Sequence, residues 1–201
     1  NDGYSKLYLI MISIAAIVYL WLGLFYLKKL LCCYSYNQTL INFSLIIIVF
    51  STNLYYYSVC EPSMSHIYSF AFITAFLFYS KKYFEEPSSR LIFILSLLLG
   101  IIVLIRPVNA LIIFSLPFIS GEWKVFKNGL NYLTGKYSRF FLSIFIVLSI
   151  VSIQFFIYKI QTGHFFIDTY GEESFKWFSP HPIDFLFSYK KGLFVYTPVL
   201  L

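Results

Sequence analysis

The sequence predicts an all-α, polytopic transmembrane helical bundle of about six spans plus the start of a seventh, and three observations carry that expectation. Apolar residues fill 59 % of the 201 positions and charged residues only 12 %, whereas a soluble domain carries roughly a quarter charged residues. The mean hydropathy is +0.76. Long apolar runs recur near 7–27, 42–59, 66–80, 91–105, 108–120 and 140–158, and none has Asp, Glu, Lys or Arg in its interior. About 20 such residues, each rising about 1.5 Å, cross a hydrocarbon core about 30 Å thick. A single transmembrane domain over 1–201 accounts for all six runs.

The elements follow in chain order. The first run is too long, and lacks the small-residue cleavage site, for a typical secretory signal peptide. Between the second and third runs lies "CEPSMSHIYSF" (60–70), which packs Glu61, Pro62, Ser65 and His66 into one link. Residues 91–120 admit two descriptions. As one helix they would reach about 45 Å and hold Arg106 and the helix-breaking Pro107 mid-membrane. As a hairpin turning at "RPVN" they avoid that cost, with two short arms. The stretch 159–193 is too polar to span and reads as an external loop with a short amphipathic piece near 182–188. "GLFVYTPVLL" opens another apolar segment, and no Met begins the chain. Both features predict a piece of a longer protein.

Charge sets the expected orientation, because Lys- and Arg-rich loops stay on the cytoplasmic side. The links 28–41, 81–90 and 121–139 hold Lys28, Lys29, Lys81, Lys82, Arg90, Lys124, Lys127, Lys136 and Arg139 against Glu85, Glu86 and Glu122. The remaining bases and acids balance. The whole net charge of +6 is therefore a topology signal, with no stripe for nucleic acid. No CxxC or His spacing marks a zinc site, no cofactor motif is present, and metal dependence stays open. The span interiors offer no ionisable relay, which argues against a coupled transporter.

The candidate chemistry gathers on the face opposite the basic links. Arg106 stands out because the other bases are Lys except Arg90 and Arg139; a guanidinium at a helix end suits a bidentate phosphate contact, and equally an interfacial anchor. Glu61 precedes Pro62 and is expected in extended backbone before a helix opening near Ser63. One reading makes Glu61 stabilise that helix start. The other sets Glu61 and His66 on the floor of an external site, binding a sugar hydroxyl or moving its proton. Lys190 and Lys191 head the next span, as anchors or as phosphate contacts.

"NDGYSKLYLI", "YYYSVCEPSMSHIYSF", "LGIIVLIRPVNALI" and "YGEESFKWFSPHPIDFLFSYKKGLFVYTPVLL" together resemble bacterial GT-C glycosyltransferases, especially those akin to protein mannosyltransferases and the aminoarabinose transferase. The resemblance covers nearly the whole chain. It implies an inner-membrane enzyme that takes a sugar from a polyprenyl-phosphate carrier and gives it to a glycan, lipid or protein acceptor on the periplasmic face. The family's usual base is an acid in the first large external loop, which would precede Asn1 here; Asp2 and Glu61 are its neighbours. The resemblance carries over Glu61 and His66 as catalytic candidates and Arg106 as a substrate contact; Asn109, of the same turn as Arg106, is a further candidate substrate contact. Lys190 and Lys191 join them as partners for the departing phosphate. The alternatives are a flippase or polymerase of lipid-linked sugars, and a non-catalytic membrane protein.

Overall fold

The computed structural model describes residues 5–166, 181–189 and 192–196. Among the described residues every regular element is helical: α1 (Lys6–Cys32), α2 (Gln38–Phe50), α3 (Leu54–Val59), α4 (Ser65–Glu85), α5 (Ser89–Ile105), a 3-10 helix (Pro107–Ser115), α6 (Leu116–Ser120), α7 (Trp123–Thr134), α8 (Tyr137–Thr162), α9 (Pro182–Phe187) and α10 (Leu193–Tyr196). The expected all-α class is therefore what the structure has. Among the described residues two helices, α1 and α8, are long and apolar enough to cross a membrane.

Local chemistry sets the helix ends. The side chains of Ser5, Asn37 and Ser88 accept from the backbone N–H of Tyr8, Leu40 and Leu91, satisfying donors that the first turns of α1, α2 and α5 leave free. Gly163, at φ 79°, ends α8 in the left-handed conformation that glycine adopts without a Cβ clash.

Two stretches expected as single spans are built otherwise. The run 42–59 is broken between α2 and α3. Thr52 Oγ1 donates to Ile48 O (2.6 Å) and accepts from Leu54 N (3.2 Å), so a side-chain hydroxyl takes over from the backbone ladder at the break. The run 108–120 is a 3-10 helix followed by the short α6. Pro117 has no N–H to offer the carbonyl of Ile113, and that carbonyl accepts from Leu116 instead. The 3-10 form lengthens the arm. Nine residues at about 2.0 Å and five at about 1.5 Å reach about 25 Å, against about 21 Å for a plain α-helix. The basic link 121–139, expected to be only a connection, holds α7, which sets Val125, Phe126, Gly129 and Leu133 on one face and Lys124, Lys127, Asn128 and Asn131 on the other.

Packing gives the bundle two distinct ends. Tyr19 meets Tyr68 and Phe72 while Tyr26 meets Phe78 and Tyr79, so α1 and α4 run parallel. They approach closely at Gly23, where an added Cβ would lie 2.5 Å from the Phe70 ring. α5 follows α4 after a tight turn and runs back along it. The segment 107–120 then returns, since Tyr34 OH, just past α1, donates to Ile119 O (3.4 Å). At that end Phe84 packs on Phe126 and Tyr83 OH donates to Gly129 O (2.6 Å), seating α7. α8 starts beside it, with Arg139 Nη1 donating to Tyr132 O (2.7 Å), and lies along α5 with Ile150 against Gly100. Lys28, Lys29, Lys81, Lys82, Arg90, Lys124, Lys127, Lys136 and Arg139 thus share one end of the bundle. Glu61, His66 and Arg106 share the other.

Candidate functional site

The site is assembled where α3, the start of α4 and the end of α5 meet. After α3 the chain turns through Glu61 and Pro62, with Met64 N donating to Glu61 O (3.1 Å). Tyr68 OH pins the turn by donating to Pro62 O (3.1 Å), and Tyr68 itself rests edge-on against Tyr19. α4 opens at Ser65, two residues later than the sequence implies, and Met64 stands at its N-cap with no side-chain bond. Glu61 makes no capping bond to this helix start. Its Oε1 accepts instead from Tyr56 OH (2.9 Å) on α3, because the turn carries the carboxylate back toward the helix it has just left.

Helix lengths bring the second half of the site into register. From His66 to the end of α4 is about 29 Å, and the 17 residues of α5 return about 26 Å. Arg106 precedes Pro107 and so takes extended backbone, φ −152° and ψ 117°. That adds about 3 Å and draws Arg106 level with His66. Arg106 Nη1 lies 3.2 Å from His66 Nδ1 and 3.4 Å from Nε2. One turn on, Asn109 Nδ2 donates to the buried Ser69 Oγ (2.9 Å) and Asn109 N donates to Arg106 O (2.9 Å), tying the 3-10 helix to α4. The Tyr57 ring stacks on His66, with centroids 4.1 Å apart and planes 24° apart.

Three of the four candidate residues read from the sequence at this end, His66, Arg106 and Asn109, therefore meet around α4, and Glu61 sits on the adjoining turn. Lys190 and Lys191 lie outside the described residues. His164 is exposed just beyond α8, and His181 Nδ1 lies 3.8 Å from Asp184 Oδ2 on α9. Tyr56 and Tyr57 are site residues that the sequence alone did not single out, whereas Ser69 falls within one turn of His66 as the helical spacing expects. The run Tyr55-Tyr56-Tyr57, two residues before "CEP", was the available signal, but a chain with 18 Tyr and 24 Phe hides it.

The electrostatics are one-sided. Arg106 is half-buried, and no carboxylate among the described residues pairs with it; Glu85 is the acid that meets Lys81 and Lys82 at the basic end. A guanidinium has five N–H donors, and the contact with His66 engages only Nη1. Such a group can take an oxyanion in a bidentate grip, while the imidazole and the Glu61 carboxylate can accept a hydroxyl proton. Among the described residues no group of three His, Cys, Asp or Glu side chains is placed to hold a metal ion. A separate cavity of about 550 Å³ lies nearer the basic end, with Phe76, Ile92, Leu99, Phe114, Leu133 and Val147 in its walls, and shares no residue with this site. Compared with known proteins, the chain matches no family model, no curated protein and no solved structure.

Proposed function

We propose that this protein is an integral membrane glycosyltransferase that moves a sugar from a polyprenyl-phosphate carrier to an acceptor at the non-cytoplasmic surface. The membrane setting draws support from α1 and α8, whose apolar side chains face outward. No residue of α8's most apolar stretch is buried, and Phe145 and Phe156 are 68 % and 61 % exposed. Apolar surface on that scale is stable against lipid and is rare on soluble monomers. The basic end would face the cytoplasm, with the other α-helices and the stretched 107–120 segment completing a polytopic bundle of about six passes. The site end would then lie at the outer boundary.

The single observation that carries the chemistry is Arg106, a guanidinium without a carboxylate partner among the described residues, held beside His66 and Asn109. Transfer from a phosphate-linked sugar needs positive charge for the departing phosphate and a base for the acceptor hydroxyl. Arg106 supplies the first, with Lys190 or Lys191 as further cations; Glu61 or His66 supplies the second. The identification of donor and reaction type rests on the sequence resemblance to GT-C enzymes. A flippase would share the phosphate contact but not the need for a base, since it forms no glycosidic bond.

That difference defines the test. The full chain, reconstituted in proteoliposomes with radiolabelled polyprenyl-phosphate sugars and a membrane extract as acceptor source, is expected to release carrier phosphate and label an acceptor. Glu61→Gln should cut transfer more than tenfold while leaving carrier binding in place, and His66→Gln should cut transfer more than tenfold with at most a tenfold loss of carrier binding. Carrier binding with no transfer by the unmodified protein, or transfer indifferent to both substitutions, would count against the enzyme reading.

A further inference from the structure

We infer that Tyr57 is a positioning residue of this site: its ring and the Arg106 guanidinium grip opposite faces of the His66 imidazole, leaving the ring's nitrogen edge for a ligand hydroxyl. The geometry requires the grip. Arg106 Nη1 is almost equidistant from the two ring nitrogens, at 3.2 and 3.4 Å. An atom so placed cannot lie in the ring plane, because it would collide with Cε1 on one side or with the Cγ–Cδ2 edge on the other. It sits over a ring face. The stacked Tyr57 ring, centred 4.1 Å away, would overlap that atom if it shared the face, so it covers the opposite one.

Two consequences follow from the sandwich. Arg106 approaches the π face and so leaves the in-plane direction of both nitrogens unused, one an acceptor and the other an N–H donor in the neutral ring; among the described residues neither nitrogen has a partner in the ring plane. The ring is also fixed against rotation from both sides, so the nitrogen edge is presented in a set direction without a hydrogen bond being spent to hold it. Ring orientation is usually set by a hydrogen bond from the second nitrogen; here stacking replaces it. Tyr57 thereby gains a function separate from that of Tyr56, its chain neighbour, whose hydroxyl is bonded to Glu61. The ligand matched to this arrangement carries a phosphate for the free guanidinium N–H groups and a hydroxyl within reach of the imidazole, which is the chemistry of a phosphate-linked sugar. This ligand assignment rests on the function proposed above; the grip itself does not.

The test separates the two. With histidine labelled in 13C and 15N, the protein in lipid nanodiscs gives a His66 Cε1–H signal identified by its loss in His66→Gln. The ring current of the stacked Tyr57 places that signal upfield of those of His164 and His181. Tyr57→Leu, which keeps bulk but removes the ring current, should move it downfield, while Tyr57→Phe should hold it; Tyr57→Ala serves as a second truncation. An unmoved signal in Tyr57→Leu would overturn the grip, whatever the protein's activity. Adding undecaprenyl phosphate to the nanodiscs should perturb His66, and Tyr57→Leu should weaken that binding roughly two- to tenfold, the worth of one stacking contact, with Tyr57→Phe near the unmodified value. A displaced His66 signal with unchanged binding would overturn the positioning role. No response of the unmodified protein to undecaprenyl phosphate would overturn the ligand assignment and the donor reading together, with the grip still judged by its own signal.

Discussion

Replacing Arg106 is the most informative perturbation of this protein. Its guanidinium is half-buried at the α5 terminus, engages His66 through Nη1 alone, and has no carboxylate partner among the described residues. Truncation therefore strands no buried acid, so its effect on folding should be small beside its effect on binding. A charge-assisted contact is worth about 1.5–3 kcal/mol, which is about ten- to a hundredfold in affinity. We expect Arg106→Ala to weaken binding of undecaprenyl phosphate by that factor, measured by quenching of intrinsic tryptophan fluorescence in nanodiscs. Undecaprenol, which lacks the phosphate, sets the baseline and should bind both proteins alike. Arg106→Lys should recover part of the loss, because an ammonium keeps the charge but not the planar fork. Equal affinity of Arg106→Ala and the unmodified protein for undecaprenyl phosphate, with thermal unfolding unchanged, would refute the phosphate contact and reduce Arg106 to an interfacial anchor.

Other expectations concern topology and stability. Exposed Cys60, at the site end, should react with an impermeant maleimide added outside intact cells, and Asn128→Cys in a Cys60→Ser background should not; labelling of position 128 from outside would reverse the orientation. Tyr83→Phe removes the 2.6 Å bond to Gly129 O from a buried position, and should lower stability by about 1–3 kcal/mol, read as a lower melting temperature in detergent. Burial, and then the nearby Tyr132, push the Tyr83 hydroxyl from 10.0 up to about 12. Because ionisation occurs more readily in the unfolded chain, the stability Tyr83 contributes is whole below pH 10 and is lost as pH rises toward 12. The melting-temperature gap between the unmodified protein and Tyr83→Phe should therefore narrow across that window; a gap constant from pH 8 to 12 would exclude the linkage.

The sequence by itself determined the helical class and the gathering of nine basic residues at one end, because hydropathy and charge are summed along the chain and need no knowledge of partners. It also marked Arg106, a rare residue type beside Pro107, and His66, a histidine in the link that holds Glu61 and Pro62. It could not determine that they meet. They stand 40 positions apart, and their contact depends on the matched lengths of α4 and α5 and on the extended residue before Pro107. Side-chain competition with the backbone was equally hidden: Thr52 marks the break in one apolar run, and Pro117 accompanies the 3-10 form of another, although both runs have the composition of plain helices. Glu61 shows the same limit most directly. Its place before a helix start is a matter of sequence, but whether its carboxylate turns to that helix or to Tyr56 is decided by the tertiary path of the turn. The Tyr57 stack likewise exists only because α3 is folded back against the first turn of α4, where two rings nine residues apart are brought face to face.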